Sequence, residues 1–537
     1  MSVEQMPRPD AIVIGSGFGG AVAACRLAES GRKVLIVERG PYRKPEDFPR
    51  LGAGLGSWLW NGRWNGFFDL RMFRRIATLT SSGVGGGSHA YANVHLRAPA
   101  RSFREGWPAG YGPDTLDPHY ARVEKMLGVR SFPETIHLEK TSAYHQAATR
   151  LGDDIFRPNL AVYFGDGTHP DPAAPVSYDR DPYGLGIETM QAPCRMCGEC
   201  DTGCKTNSKN TLDLNYLAVA TQRHGAVIAS LTEVVAIRPR DGGYRLTYRK
   251  RDTGETGHIS APLVVLAAGT VNTNELLLRA RDEYETLPAL SPHLGRHFSG
   301  NGDFLAAAVN TREPLNGWHG PTITLAARFL DDKFHFYLEE GGFTPDLSFF
   351  IGAMRPSREY ISKFAKGPAG YAARLSWFYK EVSRLTGDNA ALEQKLPSRT
   401  IIFLGMGEDG SDGRLYLRKR LARRPGLDIA WSHDRTRPLI ARMETELKRI
   451  TKELGGEYVT NPLWSLLGRL ITVHPLGGAA ISDDRGLGVL NPYGEVWGYP
   501  NLFVTDGAAI PRGIGPNPSL TISAIAERAA EYIVKRG

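Results

Sequence analysis

The sequence predicts an α/β protein: a discontinuous domain built on a parallel sheet, joined to a second domain with a sheet of its own. Three observations predict it. An apolar run, a glycine-rich turn, a helical stretch and a second apolar run follow one another within residues 10–40. Two more apolar runs, each closing in a small-residue turn, stand far downstream. Between 301 and about 470 the chain changes to short alternating strands among helical segments.

The first unit reads "DAIVIGSGFGGAVAACRLAESGRKVLIVERG" from Asp10. Ala11 to Ile14 has the unbroken apolar character of a strand buried on both faces; Gly15 turns the chain, Ala21 to Ser30 has helical composition, and Gly31 stops it. A second buried strand, Val34 to Val37, ends at Glu38. The glycines fall as G-x-G-x-x-G at Gly15, Gly17 and Gly20, with an acid 21 residues after Gly17. Gly15 permits the tight turn, Gly17 leaves room for a pyrophosphate against the backbone, and Gly20 lets helix and strand pack closely. The helix N-terminus then faces phosphate, and Glu38 can accept hydrogen bonds from a ribose. With all four parts in register this is a dinucleotide-binding unit, although the motif alone does not separate FAD from NAD.

The second pair of runs is "LVVLAAGTVNTNELLLRA", Leu263 to Ala280, and "NLFVTDGAAIP", with its acid-glycine turn at Asp506 and Gly507. Both repeat the strand-turn pattern, so these strands are expected beside the first unit in one sheet. The intervening "FHFYL" and "RLYLRK" predict a separate sheet covering the ligand.

Length and composition bound the rest. At 537 residues and 42% apolar the chain can bury one very large core or two domains. No window approaches a membrane span and no apolar leader precedes the first strand, so a cytoplasmic protein is expected. The net charge of +8 would suit nucleic acid if the basic residues formed one patch, but they are scattered and no recognition motif accompanies them. Nucleic-acid binding is therefore not expected. The segment "LGSWLWNGRWNGFFDLRMFRRI" mixes three tryptophans with arginines, and reads either as packing over the cofactor or as a lid in peripheral contact with a membrane or lipid.

Four of the five cysteines, Cys194, Cys197, Cys200 and Cys204, fall within eleven residues as C-x2-C-x2-C-x3-C. Bacterial ferredoxins use this spacing for iron-sulfur clusters, but with Pro after the last cysteine, where this chain has Lys205. Zinc closure is strained with four ligands so close together. An iron-sulfur cluster, zinc, and reduced thiols or a local disulfide all stay open, while Cys25 is expected to pack as a small apolar residue in the first helix.

Three segments together resemble the glucose-methanol-choline (GMC) oxidoreductases, FAD-dependent alcohol oxidases and dehydrogenases: the N-terminal unit, "SGVGGGSHAYANV" from Ser82, and "HPLGG" at His474 with "DGAAIPRGIGPNPSLTISAIAER" from Asp506. Within the family, "GSGFGGAVAACRLAE", "KNTLDLNYL", "LGRHFSGNGD" and "LDIAWSHD" look like the bacterial cholesterol oxidase branch. The resemblance implies a Rossmann-like FAD-binding domain over 7–100, 190–305 and 471–537. It implies a substrate domain of antiparallel sheet backed by helices over 101–189 and 306–470. FAD contacts are implied at Phe18, Gly19, Gly86, Gly87, Ser88, Asn93, Val234, Asp506 and Gly507, besides Gly15, Gly17, Gly20 and Glu38.

The implied reaction is oxidation of a small hydrophobic, steroid-like or long-chain alcohol, with oxygen or a quinone or carrier as electron acceptor; the alternative class is a non-catalytic flavoprotein that uses FAD structurally or for sensing, against which His474 and Asn517 argue. Such a reaction needs a base or acceptor for the hydroxyl proton. His474, placed where an apolar stretch gives way to a turn, could be a satisfied core histidine on spacing alone; the resemblance implies a catalytic role. Asn517, between two prolines, could be a turn residue, and the resemblance makes it the second catalytic group, an amide that binds the substrate oxygen without ionising. The family's steroid oxidases also use a carboxylate to isomerise the product. The matching region here, "LGMGEDGSDGRLYL", offers Glu408, Asp409 and Asp412, none falling cleanly on the position, and an acidic glycine-rich hairpin is the plainer reading. Similar cysteine segments occur in this branch as an apparently cluster-free feature, while some related glucose dehydrogenases hold a cluster near here; a cluster would favour a dehydrogenase.

Overall fold

The computed structural model describes residues 8–50, 52–171, 173–331, 333–344, 398–420 and 423–537. The stretch 345–397, within the expected substrate domain, lies outside the described residues, as do 1–7.

The apolar runs form a five-stranded parallel sheet in the order Val227–Ala229, Val34–Val37, Ala11–Ile14, Leu263–Leu266, Leu502–Val504. Numbered along the chain, that order is 3-2-1-4-5, the Rossmann arrangement. All four residues of strand Ala11–Ile14 are wholly or nearly buried, as a parallel sheet covered on both faces demands. Helix Phe18–Glu29 starts three residues earlier than its composition suggests and packs on the final helix, Ser519–Lys535. The Arg26 guanidinium meets the buried Glu527 carboxylate at 2.9 Å between them. Cys25 is buried in this helix. The strand order reverses between Ala11–Ile14 and Leu263–Leu266, so the crevice at their carboxyl ends is where a dinucleotide binds in this fold.

The second domain carries a six-stranded sheet in the order Glu457–Thr460, Phe304–Val309, Ile401–Gly407, His335–Gly341, Ala326–Leu330, Asp154–Phe156, antiparallel throughout. Helices Arg437–Glu453 and Glu139–Leu151 back it. "FHFYL" belongs to this sheet, whereas "RLYLRK" forms a separate two-stranded hairpin of Arg414–Arg420 with Arg423–Ala430. The acidic segment 408–413 is consequently no hairpin. It links strand Ile401–Gly407 of one sheet to strand Arg414–Arg420 of another, because each of those strands pairs elsewhere.

A third sheet positions the chemistry. Strand Leu470–Thr472 runs parallel to Ile76–Ser81, which pairs antiparallel with Phe68–Met72. Two residues past Thr472 the chain reaches His474, and just past Ser81 the neighbouring strand enters the glycine loop at Gly83. The tryptophan-rich segment is folded into this region: Trp60 is held between the guanidinium groups of Arg39, at 3.8 Å from its ring, and Arg251, at 4.9 Å. Leu55, Leu70 and Met72 remain exposed beside it. Among the described residues no helix is long and apolar enough to cross a membrane.

Candidate active site

The two glycine loops meet face to face. Gly15 has φ +96°, and a Cβ there would lie 2.2 Å from the Ala267 carbonyl oxygen, so no other residue fits the turn. At Gly17, by contrast, a Cβ would meet no atom within 4 Å, leaving open space beside the helix N-terminus. Gly20 packs on the Gly15 carbonyl and Gly19 on that of Thr505. The second loop lies directly on the first: a Cβ at Gly86 would come 2.7 Å from the Gly17 Cα. Ser16 ties them, its hydroxyl accepting from the Gly85 N–H at 3.1 Å. Phe18 packs beside Gly87 and edge-on to Tyr91. The Ser88 hydroxyl donates to the Gly85 carbonyl and accepts from the Leu212 N–H, which fixes the turn from within.

Glu38 ends its strand buried at the rim of these loops, and its carboxylate accepts from the Ser16 N–H and hydroxyl and from the Gly40 N–H. The Glu38 and Gly40 carbonyls are bonded in turn by the Thr232 and Leu231 N–H groups, which places Val234 two residues further along the adjoining strand. At the other edge Asp506 accepts from Ala508 N–H and Gly269 N–H, both at 2.9 Å, and from the Thr273 hydroxyl. Burial pushes its carboxyl up to about 6. Gly507 follows, pressed so close to Thr270 that a Cβ would meet the hydroxyl at 2.6 Å.

One short turn, Ser299–Asp303, organises both expected catalytic residues. Asp303 is buried, and one carboxylate oxygen accepts from the Thr472 hydroxyl at 2.9 Å, the Val473 N–H at 2.8 Å and the His474 N–H at 3.1 Å. The other lies 2.8 Å from His474 Nδ1. A carboxylate already taking three donors can only accept here, so Nδ1 carries the hydrogen and Nε2 presents its lone pair. Nε2 has no protein partner among the described residues. Asn301, two residues earlier, donates to the Gly515 and Pro516 carbonyls and accepts from the Ile514 and Gly515 N–H groups, clamping the loop that delivers Asn517. Asp409 anchors the turn itself, accepting from the Ser299 hydroxyl and the Gly300 and Gly302 N–H groups.

Asn517 is buried, donates to Glu339 at a long 3.4 Å, and leaves its side-chain oxygen without a partner. Glu339 lies in the middle of strand His335–Gly341, fully buried, with its second oxygen also unpartnered. Burial, with Asp303 and Glu340 nearby, pushes this carboxyl up to about 8 despite the Asn517 hydrogen bond, so it is protonated at neutral pH. Both polar atoms of the Asn93 side chain are likewise buried and unpartnered.

Three groups not singled out by the sequence contact the expected catalytic residues or their loop: Glu339, and Asn301 and Asp303 within "LGRHFSGNGD". The loop carboxylates considered for isomerisation are otherwise occupied. Glu408 is bonded by His335 and Ser102, Asp409 is saturated by the turn, and Asp412 accepts from the Trp431 indole.

The cysteine segment forms a compact loop around the short turn Cys200–Thr202. All four thiols are free, and among the described residues no three His, Cys, Asp or Glu side chains converge as a metal ion would require. Burial pushes the Cys197 thiol up to about 12 and raises Cys194 and Cys200 as well. The buried ammonium of Lys209 joins this loop to the glycine loop, donating to the carbonyls of Cys200, His89 and Tyr91.

A parallel Rossmann sheet, two abutting glycine loops and a histidine oriented by a carboxylate define an FAD-dependent oxidoreductase. GMC oxidoreductase family models match residues 184–282 and 410–526, and an FAD binding domain model matches 10–45. The chain is 30% identical over 557 residues to a cholesterol oxidase of Acinetobacter baumannii, spanning 98% of this chain and 94% of that protein. It is 31% identical over 560 residues to a cholesterol oxidase of Mycobacterium tuberculosis, spanning 99% and 92%. The fold superimposes on pyridoxine 4-oxidase from Mesorbium loti with a TM-score of 0.62 at 16% identity, over 97% of this chain and 98% of that one. The chain belongs to the GMC oxidoreductases, on their cholesterol oxidase-like branch, and is an FAD-dependent enzyme acting on alcohols.

The crevice suits FAD. The space beside Gly17 and the unpartnered polar atoms of Asn93 and Asn517 are what a cradle for a polar, phosphate-bearing ligand requires.

Proposed function

We propose that the protein oxidises the hydroxyl of a hydrophobic alcohol, sterol-like or long-chain, with molecular oxygen as electron acceptor. The observation that carries this reading is the single turn Ser299–Asp303, which orients His474 through Asp303 and the Asn517 loop through Asn301. FAD, when bound, supplies the acceptor for the two electrons leaving the alcohol carbon. The Gly15, Gly17, Gly86 and Gly87 backbone would cradle its pyrophosphate and Glu38 would take its ribose, while Asn93, Asp506, Gly507, Phe18, Gly19, Ser88 and Val234 would line the rest of the site.

His474 Nε2 accepts the hydroxyl proton, and Asp303 stabilises the resulting imidazolium by its charge. Asn517 holds the substrate oxygen by its amide without changing charge. Glu339, buried beside Asn517, is the carboxyl placed, once its own proton has left, to take a proton from one carbon of a steroid product and return it to another, the isomerisation role for which Glu408 and Asp409 are unavailable. Relatives named as cholesterol and long-chain-alcohol oxidases support both the substrate class and oxygen. The cysteine segment braces the flavin loop through Lys209. Monitoring hydrogen peroxide while the FAD-loaded enzyme turns over a sterol or a long-chain alcohol tests this. Peroxide formed in step with ketone or aldehyde is expected; substrate oxidation that proceeds only with an added quinone would contradict the choice of acceptor.

A further inference from the structure

Away from the catalytic turn, a surface cavity of about 270 Å³ gathers Arg101, Arg104, Lys333 and Arg512. They come from three separate stretches of chain. Arg101 and Arg104 belong to and follow the short turn Ala100–Phe103, Lys333 lies in the connection between strands Ala326–Leu330 and His335–Gly341, and Arg512 lies on the segment between Gly507 and Asn517. Two carboxylates share the cavity, and each is engaged. Glu105 pairs with Arg512 at 3.0 Å, and Glu408 is bonded by Ser102 and the buried His335, with Arg101 3.8 Å away. Four cations therefore face two carboxylates. The Arg104 guanidinium has no ion-pair or hydrogen-bond partner among the described residues, and the Lys333 ammonium meets only the ring of Phe334, at 5.2 Å.

Like charges drawn into one concavity repel, and the repulsion is relieved when a multivalent anion enters. A guanidinium fork matches two oxygens of a tetrahedral oxyanion, and an ammonium adds a point charge. We propose that this cavity is a binding site for a phosphate group, either free or carried as a monoester, held by Arg104 and Lys333 with Arg101 and Arg512 at its edges. The bound anion joins the segment leading to Asn517 to the connection entering the strand that carries Glu339. It thus braces the catalytic loop from outside, and neither the crevice for FAD nor His474 is part of the site.

Calorimetric titration of the FAD-loaded protein with inorganic phosphate, at constant ionic strength in chloride, reads this directly. One saturable site per chain is expected. Removing one charged donor, as in Arg104→Ala, should weaken binding about tenfold, the usual effect of losing a hydrogen bond to a charged group. Arg104→Ala with Lys333→Ala should abolish it. Both side chains are exposed, so the double variant's melting temperature in chloride should match that of the unsubstituted protein. A parallel titration with glycerol phosphate distinguishes the sources: tighter binding than phosphate marks a monoester as the ligand, and equal or weaker binding marks the free anion. Absence of a saturable site, or an unchanged dissociation constant in the double variant, would overturn the proposal.

Discussion

Replacing Asp303 by asparagine should silence His474 while leaving the site assembled. One carboxylate oxygen of Asp303 accepts three hydrogen bonds, from the Thr472 hydroxyl and the Val473 and His474 N–H groups; the other accepts one, from His474 Nδ1. An amide has a single acceptor oxygen, and keeping it on the three-donor side preserves three of the four bonds. The amide nitrogen then faces Nδ1 and donates to it, so the imidazole must carry its hydrogen on Nε2. In that tautomer Nε2 cannot accept the hydroxyl proton. Losing a positioned base costs about 10²- to 10⁴-fold in the step that uses it. Exchanging one charged hydrogen bond for a neutral one should lower stability by only about 1–2 kcal/mol. Anaerobic stopped-flow mixing with a substrate alcohol isolates flavin reduction, with FAD content and melting temperature measured on the same preparation. A variant that keeps FAD and reduces it within about threefold of the unsubstituted rate would refute the orienting role of Asp303.

Other consequences are equally open to measurement. Glu339 is held protonated by burial, with its carboxyl at about 8 against 4.5 in an unstructured chain, so the unfolded state loses its proton first as pH rises. The folded state is therefore penalised progressively between those values, and Glu339→Gln should gain stability relative to the unsubstituted protein from about pH 5 to pH 8; parallel pH profiles of melting temperature would contradict the assignment. Gly17→Val should fold, since its Cβ meets open space, yet bind FAD at least about tenfold more weakly, whereas Gly15→Ala should fail to give soluble folded protein. Circular dichroism and flavin titration separate the two, and tight FAD binding by the valine variant would exclude Gly17 from the pyrophosphate site. Anaerobically purified protein should contain no stoichiometric iron or acid-labile sulfide, and finding both would reinstate Cys194, Cys197, Cys200 and Cys204 as cluster ligands.

What could be read from the sequence was what local pattern encodes. The strands at Ala11, Val34, Leu263 and Leu502 are continuous apolar runs because both faces of a parallel sheet are covered, and the glycines mark places where backbone must approach backbone. His474 and Asn517 were ambiguous in themselves and became site candidates only through family likeness. Asp303 ends the family-like stretch "LGRHFSGNGD", but nothing local marks it as the partner of His474: the two meet across 171 residues, and Glu339 meets Asn517 across 178. Such pairings exist only after the two sheets have assembled. The acidic segment at Glu408 misled for a related reason. Its glycines suggest a hairpin, but strand Ile401–Gly407 finds partners on both sides in the six-stranded sheet, leaving 408–413 to span between sheets and Asp409 to anchor a turn about a hundred residues earlier. Cysteine spacing, likewise, states which ligands a loop could offer and says nothing of whether the loop turns them toward a common centre.

The most direct test of the central claim is anaerobic mixing of the FAD-loaded enzyme, and of its His474→Ala and Asn517→Ala variants, with a panel of sterols and long-chain alcohols. Bleaching of the flavin by at least one of these alcohols, slowed about 10²-fold or more in each variant with FAD still bound, is the predicted result. A flavin left oxidised by every alcohol, or variants that reduce it at the unsubstituted rate, would contradict the account.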